Sequence, residues 1–135
     1  ATEGIYNAMG KRARYHVFES LRHQVQSGKL GRKAGQGFLF PEKPGAAPAD
    51  AQNIVLRIEA TLANEAATLL GEGAVSAKDI DTALKLGLNF PRGPFESART
   101  HGLDKVRSML ADREAAAPLH LKGRYAVAPA LEDMS

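Results

Sequence analysis

The stretch that decides the fold runs from Arg57 to Glu96, RIEATLANEAATLLGEGAVSAKDIDTALKLGLNFPRGPFE. It reads as helix, turn, helix and a proline-rich corner. Ile58, Leu62, Ala66 and Leu69 recur at intervals of three and four, the spacing of one apolar helix face. Gly71 and Gly73 end that run. Ser76-Ala77-Lys78-Asp79 has the spacing of a capping box, in which the hydroxyl accepts from an early backbone N–H and the acid reaches back. Ile80, Ala83 and Leu84 predict the buried face of the second helix, and Gly87 stands where a left-handed cap is expected. Asn89-Phe90-Pro91-Arg92-Gly93-Pro94-Phe95 cannot continue either helix, because proline lacks an N–H and fixes its φ.

Outward from this centre the chain stays helical. Thr2 to Val25 reads as helix with a break near Gly10, and Val17, Leu21 and Val25 share a stripe at four-residue spacing. Gly28 to Phe38 has four glycines in eleven residues and reads as a loop. It matches neither G-x-G-x-x-G nor G-x-x-x-x-G-K-[ST], and nothing before it reads as a buried strand. Leu39-Phe40-Pro41 should form a short extended piece. EKPGAAPAD, residues 42–50, is a linker without apolar period. Asp50 is placed to cap a helix starting near Ala51. Beyond Glu96, Gly102 suggests a helix end, and Asp104 a cap for a helix through about Glu114 with Val106, Met109 and Leu110 inward. Ala115 to Pro118 closes it, and a loop and a short final helix follow.

Composition bounds the function. At 135 residues one compact module is expected, and 44% apolar residues suffice for a modest core. No run of about 18 apolar residues predicts a membrane span. The first fifteen residues lack the basic start and apolar core of a secretory signal. There is no cysteine, which removes disulfides, thiolate zinc sites and a thiol nucleophile, and is compatible with the cytoplasm. The net charge is +3, and the basic residues concentrate between Lys11 and Lys33 with few interleaved aromatics, the pattern of a solvated face or an anionic-tail contact rather than of nucleic-acid binding.

No catalytic or metal site assembles in the sequence. Asp79 and Asp81 are two apart on a helix and diverge, so capping is the expected role of Asp79. Glu65 is expected partly buried and bonded to backbone. His16 and His23 lie two turns apart with no third ligand and no HExxH spacing. Ser76, Ser97 and Ser108 lack a nucleophile-elbow context.

The order Asn64-Glu65-Ala66, Asp79-Ile80-Asp81, Ala83, Gly87, Pro91, Gly93-Pro94-Phe95-Glu96 resembles the C-terminal domain of 3-hydroxyacyl-CoA dehydrogenases, of the 3-hydroxybutyryl-CoA dehydrogenase type. Gly28, Leu30-Gly31, Lys33, Gly35, Gly37 and Phe38 match the segment "G.LG.K.G.GFY.Y" that ends a helical repeat in that family, with Leu39 in place of the tyrosine. Arg14-Tyr15-x-Val17-x-x-x-Leu21 recurs as Arg124-Tyr125-x-Val127-x-x-x-Leu131. That repetition agrees with the family's tandem repeats. The resemblance implies the tail of one repeat over 1–41, a linker over 42–50 and a second repeat over 51–135.

The implied fold is the all-α C-terminal domain of the 3-hydroxyacyl-CoA and 6-phosphogluconate dehydrogenases. The implied parent activity is NAD-dependent interconversion of 3-hydroxyacyl-CoA and 3-ketoacyl-CoA in fatty acid metabolism. NAD belongs to a nucleotide-binding domain with a glycine fingerprint that is not found in this stretch; the family's catalytic histidine and glutamate lie there too. The family's asparagine before the arginine that opens the active repeat is Leu56 here, and Ser97 and Arg99 depart from "PFEWAD". The chain alone is therefore expected to be inactive, without catalytic residues, bound cofactor or metal. Arg32 and Lys33 are the implied acyl-CoA contacts. Arg57, Arg92 and Phe95 are the implied interface with a homodimer partner or a nucleotide-binding domain. The alternative is a stand-alone helical interaction module without catalysis.

Overall fold

The computed structural model describes residues 2–43 and 45–135. The elements in chain order are α1 (Thr2–Ala8), α2 (Glu19–Gln26), α3 (Ala51–Gly71), α4 (Ala77–Leu88), α5 (Pro94–His101), α6 (Leu103–Ala115) and α7 (Pro129–Glu132). Single 3₁₀ turns occupy Ala13–Tyr15, Arg32–Ala34 and Leu119–Leu121. Among the described residues there is no strand pairing beyond an isolated bridge between Gly31 and Gln36. In place of one compact module the chain forms two compact units, Ala1–Pro48 and Ala49–Ser135.

The larger unit is built on α3, which packs against α5, α6 and α7. Its inward face is not the stripe of large residues. Leu56, Ala60, Ala63, Asn64 and Ala67 are the buried positions, with Ala66 at the margin. Alanines bring the neighbouring backbones close, and the volume comes from the other side: Phe95, Val106, Leu110 and Leu131 are fully buried against them. Ile58 and Leu69 point out, Ile58 with 55% of its surface exposed.

Two turns are fixed by specific chemistry. Ser76 Oγ accepts from the Asp79 N–H at 3.2 Å, and the Asp79 carboxylate returns to Ser76, so the capping box forms. The hydrogen bonds from the Ser76 side chain and backbone hold the Asp79 carboxyl below the usual range. At the proline corner, Glu96 accepts from the Gly93 N–H at 3.0 Å, and Asp81 reaches over from α4 to accept from the Phe95 N–H at 2.8 Å. This leaves no room at residue 93: a Cβ there would lie 2.3 Å from Asp81 Oδ1. Glycine is required by this close approach.

Several expectations are corrected. α4 continues through Gly87 to Leu88, and Asn89 takes the left-handed cap at φ 55°; asparagine tolerates that region. On α4 it is Ile80 and Asp81 that are buried, while Ala83 is exposed. Asp50 occupies the N-cap position of α3 without a side-chain cap bond. The cap residue of α6 is Gly102, and Asp104 instead pairs with Arg107 at 2.9 Å in the first turn.

In the smaller unit the break at Gly10 widens. Gly10 and Lys11 both take positive φ, and helix resumes only at Glu19. Val17 is buried just before α2, and Val25 lies exposed at its far end. Phe38–Pro41 bends rather than extending, with the Gly37 N–H donating to Phe40 O at 3.0 Å.

Candidate functional site: a cleft on the outer face of the central helix

Because α3 spends its small residues on the core, its large ones line a cleft of about 250 Å³ against the proline corner. Val55, Ile58, Leu62, Phe90, Pro91 and Pro94 form apolar walls. Glu59, Arg92 and Ser97 supply the polar groups. Further along α3, a second groove shares Leu62 and runs between Leu69, Val75, Ile80 and Leu84. Joined at Leu62, the two make one apolar strip along α3 and α4.

The polar edge of the cleft is a satisfied cluster. Glu59, on α3, meets the His101 imidazole through Nε2 at the end of α5. The Ser97 hydroxyl lies 3.5 Å from its other oxygen, and the Arg92 guanidinium 4.0 Å from it. Ser97 therefore faces the carboxylate, not the imidazole, and no serine–histidine relay is built. The cluster fixes the corner to α3 and leaves a half-exposed arginine at the mouth.

A second polar group holds the C-terminal segment. Asn64 Nδ2 donates to Ala126 O at 2.8 Å, and Asn64 Oδ1 accepts from the Ala128 N–H at 2.8 Å. One buried side chain thus satisfies both groups of an extended turn, a pairing whose loss would strand buried backbone. Glu114 accepts from the Gly123 and Tyr125 N–H groups at 2.8 and 3.0 Å. The Gly123 hydrogen bond foremost, with that of Tyr125 and the charge of Lys122, holds its carboxyl below the usual range against the opposing effect of burial. Arg107 gathers the carbonyls of Leu131, Glu132 and Met134 at the end of α7.

The predicted site residues separate. Arg92 is at the mouth of the cleft. Arg57 is exposed as a residue, but its guanidinium donates to Tyr125 Oη at 3.1 Å within the same unit. Burial pushes the Tyr125 hydroxyl up, but the Arg57 hydrogen bond and the charges of Arg57 and Arg124 outweigh it and bring the pKa below its usual value. Phe95 is fully buried, so its assignment to an interface is corrected: the ring fills the core beneath α3, and a partner cannot touch it. Leu56 is also core, so the position preceding Arg57 serves packing. Arg32 and Lys33 are exposed on the 3₁₀ turn of the smaller unit, away from the cleft's own residues in sequence. Asn64, Asp81 and Glu114 were missed as structural clamps. For Asn64 the signal was present: a lone polar residue on the alanine face of a helix.

The glycine loop does not fit a dinucleotide. It follows a helix rather than a strand, and its backbone closes on itself through the Gly31 N–H to Gln36 O bond. Such a closed turn offers no helix N-terminus for a pyrophosphate. Among the described residues no group of three His, Asp or Glu side chains could hold a metal ion, and no helix is long and apolar enough to cross a membrane.

Fold and clefts of the larger unit define an all-helical module organised on one long central helix with an apolar outer face. A family model described as 3-hydroxyacyl-CoA dehydrogenase, C-terminal domain, matches residues 54–135, and the chain belongs to that family. It is 44% identical over 94 residues to a 3-hydroxybutyryl-CoA dehydrogenase of Bradyrhizobium diazoefficiens, covering 70% of this chain and 28% of that protein. It is 40% identical over 70 residues to the mitochondrial hydroxyacyl-coenzyme A dehydrogenase of Homo sapiens, covering 50% and 22%. A 3-hydroxyadipyl-CoA dehydrogenase of Escherichia coli is 37% identical over 57 residues, covering 42% and 12%. The chain thus spans less than a third of the length of these relatives. No solved structure matches it.

Proposed function

We propose that this chain is the C-terminal helical part of an NAD-dependent 3-hydroxyacyl-CoA dehydrogenase, acting in the cytoplasm in fatty acid oxidation. The observation that carries the reading is the match of residues 54–135 to the family's C-terminal domain. Oxidation of the 3-hydroxyl group needs a cofactor held against the substrate carbon and a base within reach of the hydroxyl. The role left to this chain is to present surfaces: the strip along α3 and α4 to a second helical repeat in a homodimer, or to a nucleotide-binding domain. Its area is apolar, and burial of apolar surface is worth roughly 25 cal/mol per Å². The loop carrying Arg32 and Lys33 faces the acyl-CoA, its cations suited to phosphate and its exposed Leu30 and Phe38 to the acyl end.

A second reading, an interaction module without catalysis, is favoured by Leu56, whose side chain lies in the core where the active family repeat has an asparagine.

The test is NADH formation from 3-hydroxybutyryl-CoA and NAD. The expected result is none with the purified chain, and turnover once a family nucleotide-binding domain is fused ahead of it. Turnover by the chain alone overturns the reading of its role, and silence of the fusion, if folded, favours the interaction module.

A further inference from the structure

Besides its apolar strip, α4 carries a polar face. Lys78, Asp81, Thr82 and Lys85 fall together at helix spacing and, with Glu96 and Arg99 of α5, line a hollow of about 410 Å³. Three cations stand there against two carboxylates. Both carboxylates are occupied. Asp81 is buried and accepts from the Phe95 N–H at 2.8 Å. Glu96 accepts from Lys85 Nζ at 2.6 Å and from the Gly93 N–H at 3.0 Å, and these bonds hold its carboxyl below the usual range. The acids on the flanks are tied as well: Asp79 closes on Ser76, and Asp104, beyond Arg99, pairs with Arg107 at 2.9 Å. Among the described residues, the exposed side chains of Lys78 and Arg99 make no hydrogen bond or ion pair. Arg99 also stands where the pattern "PFEWAD" has an acid; with that acid the balance of the hollow would be reversed.

We infer that this hollow between α4 and α5 binds a small anion carrying a diphosphate group. Lys78 and Lys85 are seven residues apart, about 10 Å along the axis of α4. One phosphate group is too small to meet both, whereas two linked phosphates span more of that distance. Arg99 enters from α5, and its planar fork suits two oxygens of one phosphate. Lys85 spends one of its three protons on Glu96 and has others to give. Thr82 adds no donor, because its hydroxyl already donates to Lys78 O at 2.8 Å. Recognition therefore falls on the three cations, and Arg99 is the one that sets the sign of the site.

The probe is inorganic pyrophosphate, titrated without divalent metal into the isotope-labelled full chain and followed by amide chemical shifts. The expected result is saturable change at residues 77–85 and 96–99, with orthophosphate binding about tenfold more weakly. Arg99→Asp should weaken pyrophosphate binding at least about tenfold with an unchanged thermal midpoint, since the side chain is exposed. Lys78→Gln, a milder change on the other helix, should weaken it a few-fold. The double variant Arg32→Gln, Lys33→Gln, in the basic loop of the smaller unit, should bind as the unsubstituted chain does. Four results overturn the inference: no change at 77–85 and 96–99 by about 10 mM pyrophosphate, changes centred on residues 11–33 instead, equal affinity for orthophosphate, or binding that survives Arg99→Asp and Lys78→Gln undiminished.

Discussion

The two sides of α3 share one helix and divide its work by residue size. The inner side uses Leu56, Ala60, Ala63 and Ala67, and lets Phe95, Leu110 and Leu131 fill the space. The outer side carries Val55, Ile58, Leu62 and Leu69, the larger residues, and leaves them against solvent-open clefts. Size alone would assign the faces the other way round. A helix core is set by closest approach, and alanine permits closer approach than isoleucine. The outer side is then free to carry the apolar volume that a partner needs.

The strongest way to break the comparison is to empty the inner side. Phe95→Ala should cost about 3–5 kcal/mol, because the ring is fully buried and α3 cannot collapse onto the void. Urea denaturation measures it. A loss under about 1 kcal/mol would mean that Phe95 belongs to a surface after all.

Asn64→Ala should cost about 1–3 kcal/mol, because the Ala126 carbonyl and Ala128 amide lose their partner. Hydrogen exchange at the Ala128 amide should accelerate more than at any α6 amide. Uniform acceleration would show that Asn64 supports the whole unit rather than clamping one segment.

Acid tests the same C-terminal anchoring through Glu114. Its folded pKa lies below the unfolded value, so its stabilisation is complete above the ordinary glutamate value of about 4.5 and is lost as pH falls through the lower folded value. Glu96 adds in the same direction, held down by Lys85 and by the Gly93 N–H. Glu114→Gln should lower the thermal midpoint at neutral pH, and the gap to the unsubstituted chain should close in acid. A gap independent of pH would remove Glu114's charge from the account.

The smallest effect on stability belongs to the outer side. Ile58→Lys should change unfolding free energy by no more than about 0.5 kcal/mol, since the side chain is already largely exposed. The same substitution should shift light scattering from dimer to monomer if the outer strip is the partner surface. Scattering that reports the same mass before and after would separate that strip from assembly.

Much of the architecture was legible because it rests on local chemistry. The Ser76–Asp79 cap, the start of α3 at Ala51, and the inward set Val106 and Leu110 depend on residues within one or two turns. The α4 terminus was misplaced by two residues, because Gly87 and Asn89 can both end a helix and only packing chooses between them. The cleft was legible only in part: Arg92 was placed at an exposed corner, but its neighbours Glu59, Ser97 and His101 converge from separate helices.

What the sequence by itself determined is the all-α character, the paired repeat pattern and the family resemblance, all carried by short-range periodicity and motif order. The tertiary structure alone decided which side of α3 is core, that Phe95 is inside, and that Asn64, Asp81 and Glu114 bind backbone far along the chain. The physical reason is the same in each case. Helix formation is read from neighbours three and four residues away, whereas burial and the satisfaction of buried amides depend on groups brought together from 14, 62 and 64 residues apart.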